Sequence, residues 1–396
     1  MILTGHYSSP EIEKGLPAFV AAGINGCHEA TSAREALRRV ELGCYAQQRY
    51  GTAWLDMPNT VKAVTENPGI DTRYFTLITD DITPATLVYD GHLNRVVRAA
   101  IAQGVPPITA IQMVTINAAQ MLEKSRWIGT VSPGRAADIL LVNDLVNLKI
   151  DQVYSDGVLV AEKGELVVDL QPYDYPVWAL SSVHVDPVLP ADFRVAHASG
   201  SAKVRVMRVF PGYVHTQEEQ VEFKAVDGAL QADPDRDLAK VAVFYRHEPK
   251  EGLTGTKSFG FATGLSLKPR VAFGSTVAHD CHNLMVIGTA DEEMAIAANE
   301  LIRIGGGMVV AIDGEVRAAL PLPLAGLMSL DPAPVVADQL RKVEEAIRQA
   351  GCMADSVEMT ITLLPLIVLP ELHLSNRGYV QLLPGQPPKF VDVLVS

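Results

Sequence analysis

The sequence predicts an α/β protein in three parts: the C-terminal half of a (β/α) barrel, a small β-rich unit and a C-terminal mixed α/β domain. Three observations predict it. From residue 1 to about 125, short apolar runs alternate with amphipathic stretches of helical spacing, the pattern of a parallel sheet covered by helices. Three of those runs end in residues of metal-ligand type, His6, His28 and Asp80. Functional residues at the C-terminal ends of several strands point to a barrel, which needs eight strand–helix units in roughly 250 residues. Only four units can be read in residues 1–125.

Taken in order, Ile2–Thr4 reads as a strand leading into a helix over Pro10–Ala22, with Pro10 in its first turn. Gly23–Gly26 is the next strand. Ser32-Ala33-Arg34-Glu35 is a capping-box pattern opening a helix to about Leu42. Cys44–Gln48 is a strand ending in Arg49, Thr60–Glu66 a helix, and Phe75–Thr79 a strand running into Asp80-Asp81. Leu93–Gln103 and Thr109–Leu122 read as helices, the first with Val96, Val97, Ala100 and Ile101 at helical spacing. Residues 126–170 read as a small β-sandwich segment, with Asp156-Gly157 and Lys163-Gly164 at its turns. Residues 171–192, proline-rich and without period, read as a linker. Residues 193–396 form the mixed α/β domain: strands at Lys203–Phe210 and Val241–Tyr245, a helix at Asp291–Ile304 stopped by three glycines, a hairpin turning at Asp313-Gly314, and an amphipathic helix at Ala333–Gln349.

Composition narrows the function. The 396 residues are 48% hydrophobic and carry a net charge of −13, which argues against a nucleic-acid backbone as partner. The most apolar stretch, Ile361–Leu369, is short and broken by Pro365, so no membrane partner is expected, and the N-terminus has no signal-peptide pattern. Four scattered cysteines without a C-x-x-C pair suit free thiols in the cytoplasm. Imidazole and carboxylate groups on separate strand ends suit zinc, iron or manganese with a position open for water. The expectation is therefore a metal-dependent hydrolase in which Asp80 both binds metal and accepts a proton, while Asp81 either points to the other face of the strand end or orients the substrate.

Several motifs sharpen this. Gly5-His6, Ala21-Ala22-Gly23-Ile24 with His28-Glu29, Arg49-Tyr50-Gly51-Thr52-Ala53 and Thr79-Asp80-Asp81 occur in that order. Thr115-Ile116-Asn117-Ala118-Ala119, Pro133-Gly134-Arg135-Ala136-Ala137-Asp138 and Ser275-Thr276-Val277-Ala278-His279-Asp280-Cys281-His282-Asn283 follow, with Gly305-Gly306-Gly307 and Leu320-Pro321-Leu322-Pro323. Together they resemble the second half of the adenine deaminases of the amidohydrolase superfamily. The resemblance implies hydrolysis of adenine to hypoxanthine and ammonia by a metal-activated water, with Mn2+ or Fe2+ favoured and Zn2+ also compatible. It implies His6, His28 and Asp80 as metal ligands, Asp80 as the catalytic residue, and Asp81, Arg49, His279, Cys281, His282 and Asn283 as substrate-binding residues. For His279–Asn283 two readings stand side by side: closure of the site, or a polar turn of the C-terminal domain. Arg49 either orients the substrate or makes a salt bridge, and His92 leans to structure. The resemblance also implies a homo-oligomer with a small-molecule substrate. The family opens with a His-x-His pair, and none precedes His6; the expectation is an N-terminally incomplete chain, weak or inactive alone. Two other readings remain: an amidohydrolase acting on another cyclic amide or amidine, and a catalytically dead binding or assembly module.

Overall fold

The computed structural model describes residues 2–198, 200–210, 213–354, 356–383 and 385–395. It divides into two compact units, Met1–Tyr173 and Asp174–Ser396.

In the first unit, Gly26–Cys27, Tyr45–Arg49 and Phe75–Ile78 form a parallel sheet in that order, and Thr4 adds a parallel bridge to Gly26. Four chain segments therefore end side by side at one sheet edge, and the next residues are His6, His28, Tyr50 and Thr79-Asp80. One face of the sheet is apolar, where Phe75 and Leu77 join a core with Val96, Val97, Ala100 and Met113 from the covering helices, while buried polar Gln48 and Thr76 stand among the same strands. Asn117 fastens one helix to the strand entry, its Nδ2 donating to the carbonyls of Thr72 (2.8 Å) and Phe75 (2.9 Å).

Several elements differ from the sequence expectation. The first helix begins at Gly15 rather than Pro10, because the Glu11 carboxylate accepts from the amides of Glu13 (2.8 Å) and Lys14 (2.9 Å) and holds a turn there. Two short helices, Met57–Thr60 and Lys62–Thr65, replace the single one over Thr60–Glu66. The helix expected at Thr109–Leu122 is broken into Pro107–Val114 and Ile116–Met121 at Thr115, whose ψ of −93° is not helical. A helix at Pro84–Tyr89, capped by the Thr83 hydroxyl, was not anticipated. Only half of the capping box forms: Ser32 Oγ accepts from Glu35 N, while Glu35 Oε2 accepts from Thr31 N (3.1 Å) and not from the amide of the cap residue Ser32.

Residues 139–166 form one four-stranded antiparallel meander, Ile139–Val142, Ile150–Ser155, Val158–Glu162 and Glu165–Leu166. This corrects the sandwich: side-chain alternation is the same whether the buried face meets a second sheet or other elements. Asp156 (φ 47°) and Gly157 (φ 78°) make its central hairpin turn, the left-handed pair that an Asp-Gly turn needs.

The second unit is built on an eight-stranded sheet in the order Thr216–Lys224, Ser201–Val209, Lys257–Thr263, Ala239–Phe244, Leu284–Gly288, Val271–Ser275, Gly307–Ile312, Glu315–Pro321. Its central strands are buried on both faces. Val241 and Val243 join one core with Leu340, Val343 and Ile347 of the helix Ala333–Gln349. Ala242 and Phe244 join the other with Met294, Ala298 and Leu301 of the helix Asp291–Arg303. Most of the expected linker belongs to this unit. Ala179 and Val188 are buried, and Asn299 brackets Val188 by accepting from its amide (2.9 Å) and donating to its carbonyl (2.8 Å). Proline removes periodicity without preventing packing. No helix among the described residues is long and apolar enough to cross a membrane.

Candidate metal centre

His6 leaves the sheet on an anchored segment. The Gly5 amide donates to the Gly26 carbonyl (3.1 Å), and Tyr7 is held at both ends, its amide on Cys27 Sγ (3.3 Å) and its carbonyl on buried Arg39 (2.8 Å). His28 follows the strand Gly26–Cys27 directly. The two imidazoles meet edge to face with centroids 4.5 Å apart. Glu29 Oε1 lies 2.8 Å from His6 Nδ1 and 3.3 Å from His28 Nε2. One ligand atom from each of His6, His28 and Glu29 falls within 4.8 Å of the others.

Arg49, buried at the end of its strand, binds the carboxylate side of this cluster. It reaches Glu29 (3.1 Å), Asp80 (3.3 Å) and, through Nε, Asp56 (2.6 Å). Asp80 Oδ2 is 3.8 Å from His28 Nε2. Asp80 has φ of 60°, a left-handed residue of a type that tolerates it, and this turn sends the neighbouring carboxylates to different tasks. Asp81 Oδ2 accepts from the amides of Thr52 (3.1 Å) and Ala53 (2.5 Å), and Oδ1 from Trp54 (3.2 Å). Its oxygens brace residues 52–54.

Electrostatics follow from this packing. Burial acts to raise the Glu29 carboxyl, but hydrogen bonds from His28 and His6 and the charge of Arg49 outweigh it and hold it at about 2. Burial acts to lower the Arg49 guanidinium, and the charges of Glu29, Asp56 and Asp80 carry it above its ordinary value. Burial raises the Asp81 carboxyl against the lowering effect of its amide donors.

His6, His28, Arg49 and Asp80 are thus brought together, as the sequence suggested. Glu29 and Asp56 were given no role there; the signal available for Glu29 was its place beside a strand-end histidine. His279, Cys281, His282 and Asn283 belong to the second unit, in the turn between Val271–Ser275 and Leu284–Gly288. There His282 Nδ1 lies 2.6 Å from the Val277 carbonyl, Cys281 Sγ donates to the Ala278 carbonyl (3.4 Å), and Asn283 Nδ2 donates to Asn376 (3.4 Å). His279 and Asp280 pair at the surface (2.9 Å). His92 is exposed and precedes the helix Leu93–Ala102. All four cysteines are free.

Comparison with known proteins gives the two units a common source. Residues 56–160 match the amidohydrolase family, and residues 213–384 match the adenine deaminase C-terminal domain. An adenine deaminase of Clostridium botulinum is 46% identical over 380 residues, covering 96% of this chain. Those of Rubrobacter xylanophilus and Moorella thermoacetica are also 46% identical, covering 96% and 100% of it. The chain is similar to adenine deaminases over nearly its whole length, and its second unit carries the match to their C-terminal domain. It spans 62%, 62% and 65% of the length of these three relatives. A solved β-aspartyl dipeptidase from Fervidobacterium islandicum aligns with TM-score 0.33 and 15% identity, over 43% of this chain and 49% of that one. The match of residues 56–160 to the amidohydrolase family implies a divalent metal. The donor set fits one: two imidazoles and a carboxylate converge within bonding reach of a common point, with a second carboxylate beside them.

Proposed function

We propose that this chain provides part of an adenine deaminase, converting adenine and water to hypoxanthine and ammonia, with its sheet forming one arc of a (β/α) barrel. The observation that carries the reading is the convergence of His6, His28, Glu29 and Asp80 at one sheet edge in a chain similar to adenine deaminases. His6, His28 and Glu29 would hold a divalent cation, Mn2+ or Fe2+ by preference and Zn2+ by the same donor chemistry. When bound, such a cation lowers the pKa of a water from ~15.7 toward ~7.

The chain's own residues do the rest. Asp80, beside His28 and partly exposed, takes the proton from the attacking water and returns it to the departing amine. Arg49 holds the Glu29 and Asp80 carboxylates in place, so that neither has to be reoriented during reaction. Asp81 fixes residues 52–54 at the mouth of the same edge. The turn His279–Asn283 keeps the role that the resemblance to adenine deaminases implies, substrate contact or closure. A soluble cytoplasmic homo-oligomer acting on a small molecule, without nucleic-acid or membrane partners, accords with the acidic composition.

The test is adenine turnover by the chain with Mn2+ or Fe2+ added, Asp80→Asn serving as control. Ammonia release abolished by Asp80→Asn supports the reading. Ring-opening of a cyclic amide or amidine in place of ammonia release overturns the substrate assignment.

A further inference from the structure

The second unit buries a cation that nothing in it neutralises. Arg246 is 1% exposed. Its Nε donates to the His282 carbonyl (2.5 Å), and its terminal nitrogens donate to Ser182 O (2.8 Å), Ser182 Oγ (3.2 Å) and Ala325 O (3.1 Å). Those four bonds use four of the five guanidinium N–H groups. They satisfy donors but supply no negative charge, and no acidic side chain lies within ion-pair distance of Arg246 among the described residues. Burial depresses the guanidinium to about 10. A buried ion left without a counter-ion is costly, so a fold that keeps one points to a ligand of opposite sign.

Arg246 also lines a cavity of about 480 Å³. The other walls include His184, His247, His282 and Lys250, with Trp178 and Tyr245 offering ring faces. The one acidic residue of the lining, Glu248, is mostly exposed and pairs with His184 at 3.3 Å. His247 Nε2 is fixed on the Cys281 carbonyl (3.1 Å) and His282 Nδ1 on that of Val277, so the imidazoles are held in place. The lining thus combines a buried guanidinium, two hydrogen-bonded imidazoles, a lysine and aromatic side chains, which is the make-up of a small-ligand site with an anionic handle.

We propose that this cavity binds an oxyanion, the phosphate or carboxylate group of a small molecule, with Arg246 as its counter-ion. The inference rests on the second unit alone, and of the cavity lining only His282 also figures in the deaminase reading. Neutral adenine would leave the charge of Arg246 uncompensated, so the site is distinct in chemistry from one built for that substrate.

Calorimetric titration of the full chain with inorganic phosphate, benzoate and adenosine 5′-monophosphate tests it, with adenine as the neutral control. The expected result is saturable one-site binding of at least one anion, with Kd of ~1 mM or tighter. That binding weakens at least tenfold in Arg246→Gln and in the rim variant His184→Ala/Lys250→Ala. Phosphate binding without benzoate binding assigns a phosphate group, and the reverse a carboxylate. A cooperative melt checks that Arg246→Gln folds; if it does not, the rim variant decides. No saturable binding of any anion, or binding that adenine matches or that the folded variants leave unchanged, overturns the proposal.

Discussion

Replacing Arg49 with methionine removes the guanidinium shared by Glu29, Asp56 and Asp80, at 3.1, 2.6 and 3.3 Å. Arg49 is buried and its partners are 15–27% exposed, so solvent relieves the loss only in part. Lowering the Glu29 carboxyl from 4.5 to about 2 corresponds to roughly 3 kcal/mol, shared among His28, His6 and Arg49. Asp56 and Asp80 lose their cation as well, so the total cost to the metal-free chain is about 3 kcal/mol, at the low end for breaking a buried ion pair. For a unit of this size that is a fall in Tm of roughly 6–12 °C. The assay is thermal unfolding in the presence of a chelator, following the transition of the first unit. The pH dependence gives a second handle. A carboxyl depressed in the folded state stabilises above its unfolded pKa, and that stability fades as pH falls from about 4.5 toward about 2. The gap between wild type and Arg49→Met is thus full at neutral pH and closes across that window. A variant that melts within ~1 °C of wild type at pH 7, or a gap that widens on acidification, refutes the reasoning.

Two further outcomes follow from the same geometry. Asp81→Asn puts an NH2 group where one carboxylate oxygen accepts backbone amides, so it should cost about 1–3 kcal/mol and speed protease cleavage at residues 52–54, read by melting and limited proteolysis. Gly307→Ala should destabilise the second unit by at least ~2 kcal/mol in urea unfolding, because φ is 142° there and an added Cβ would meet the Leu320 carbonyl oxygen at 2.0 Å.

The strand ends of the first unit were legible because each apolar run stops at a residue whose chemistry differs sharply from what precedes it. His6, His28, Arg49 and Asp80 announce themselves in that way. Glu29 does not: it is one of many glutamates, and only the backbone path after Cys27 turns its carboxylate between two imidazoles. Asp81 shows the converse: it adjoins Asp80 in the sequence, and the left-handed backbone at Asp80 sends the two carboxylates to different partners. The hairpins at Asp156-Gly157 and Asp313-Gly314 and the helix Ala333–Gln349 were readable because turn chemistry and helical period are local. Whether one sheet or two cover residues 126–170, and whether residues 171–192 pack, depends on partners far away in sequence. Arg246 is the extreme case. In the sequence it is an arginine after an apolar strand, and its burial exists only once residues 182, 282 and 325 close around it.

The central claim is that His6, His28 and Glu29 hold a divalent cation, and the most direct test is Mn2+ titration of the chelator-treated chain followed by electron paramagnetic resonance. Loss of a residue that merely supports a metal ligand costs 10–100-fold in affinity, so loss of a ligand costs at least ~10-fold. The account predicts saturable Mn2+ binding that weakens by that factor or more in His28→Ala and in Glu29→Gln, and that is unchanged in His92→Ala, an exposed histidine outside the cluster. Equal affinity in all four proteins, or no saturable binding by the wild type, would contradict it.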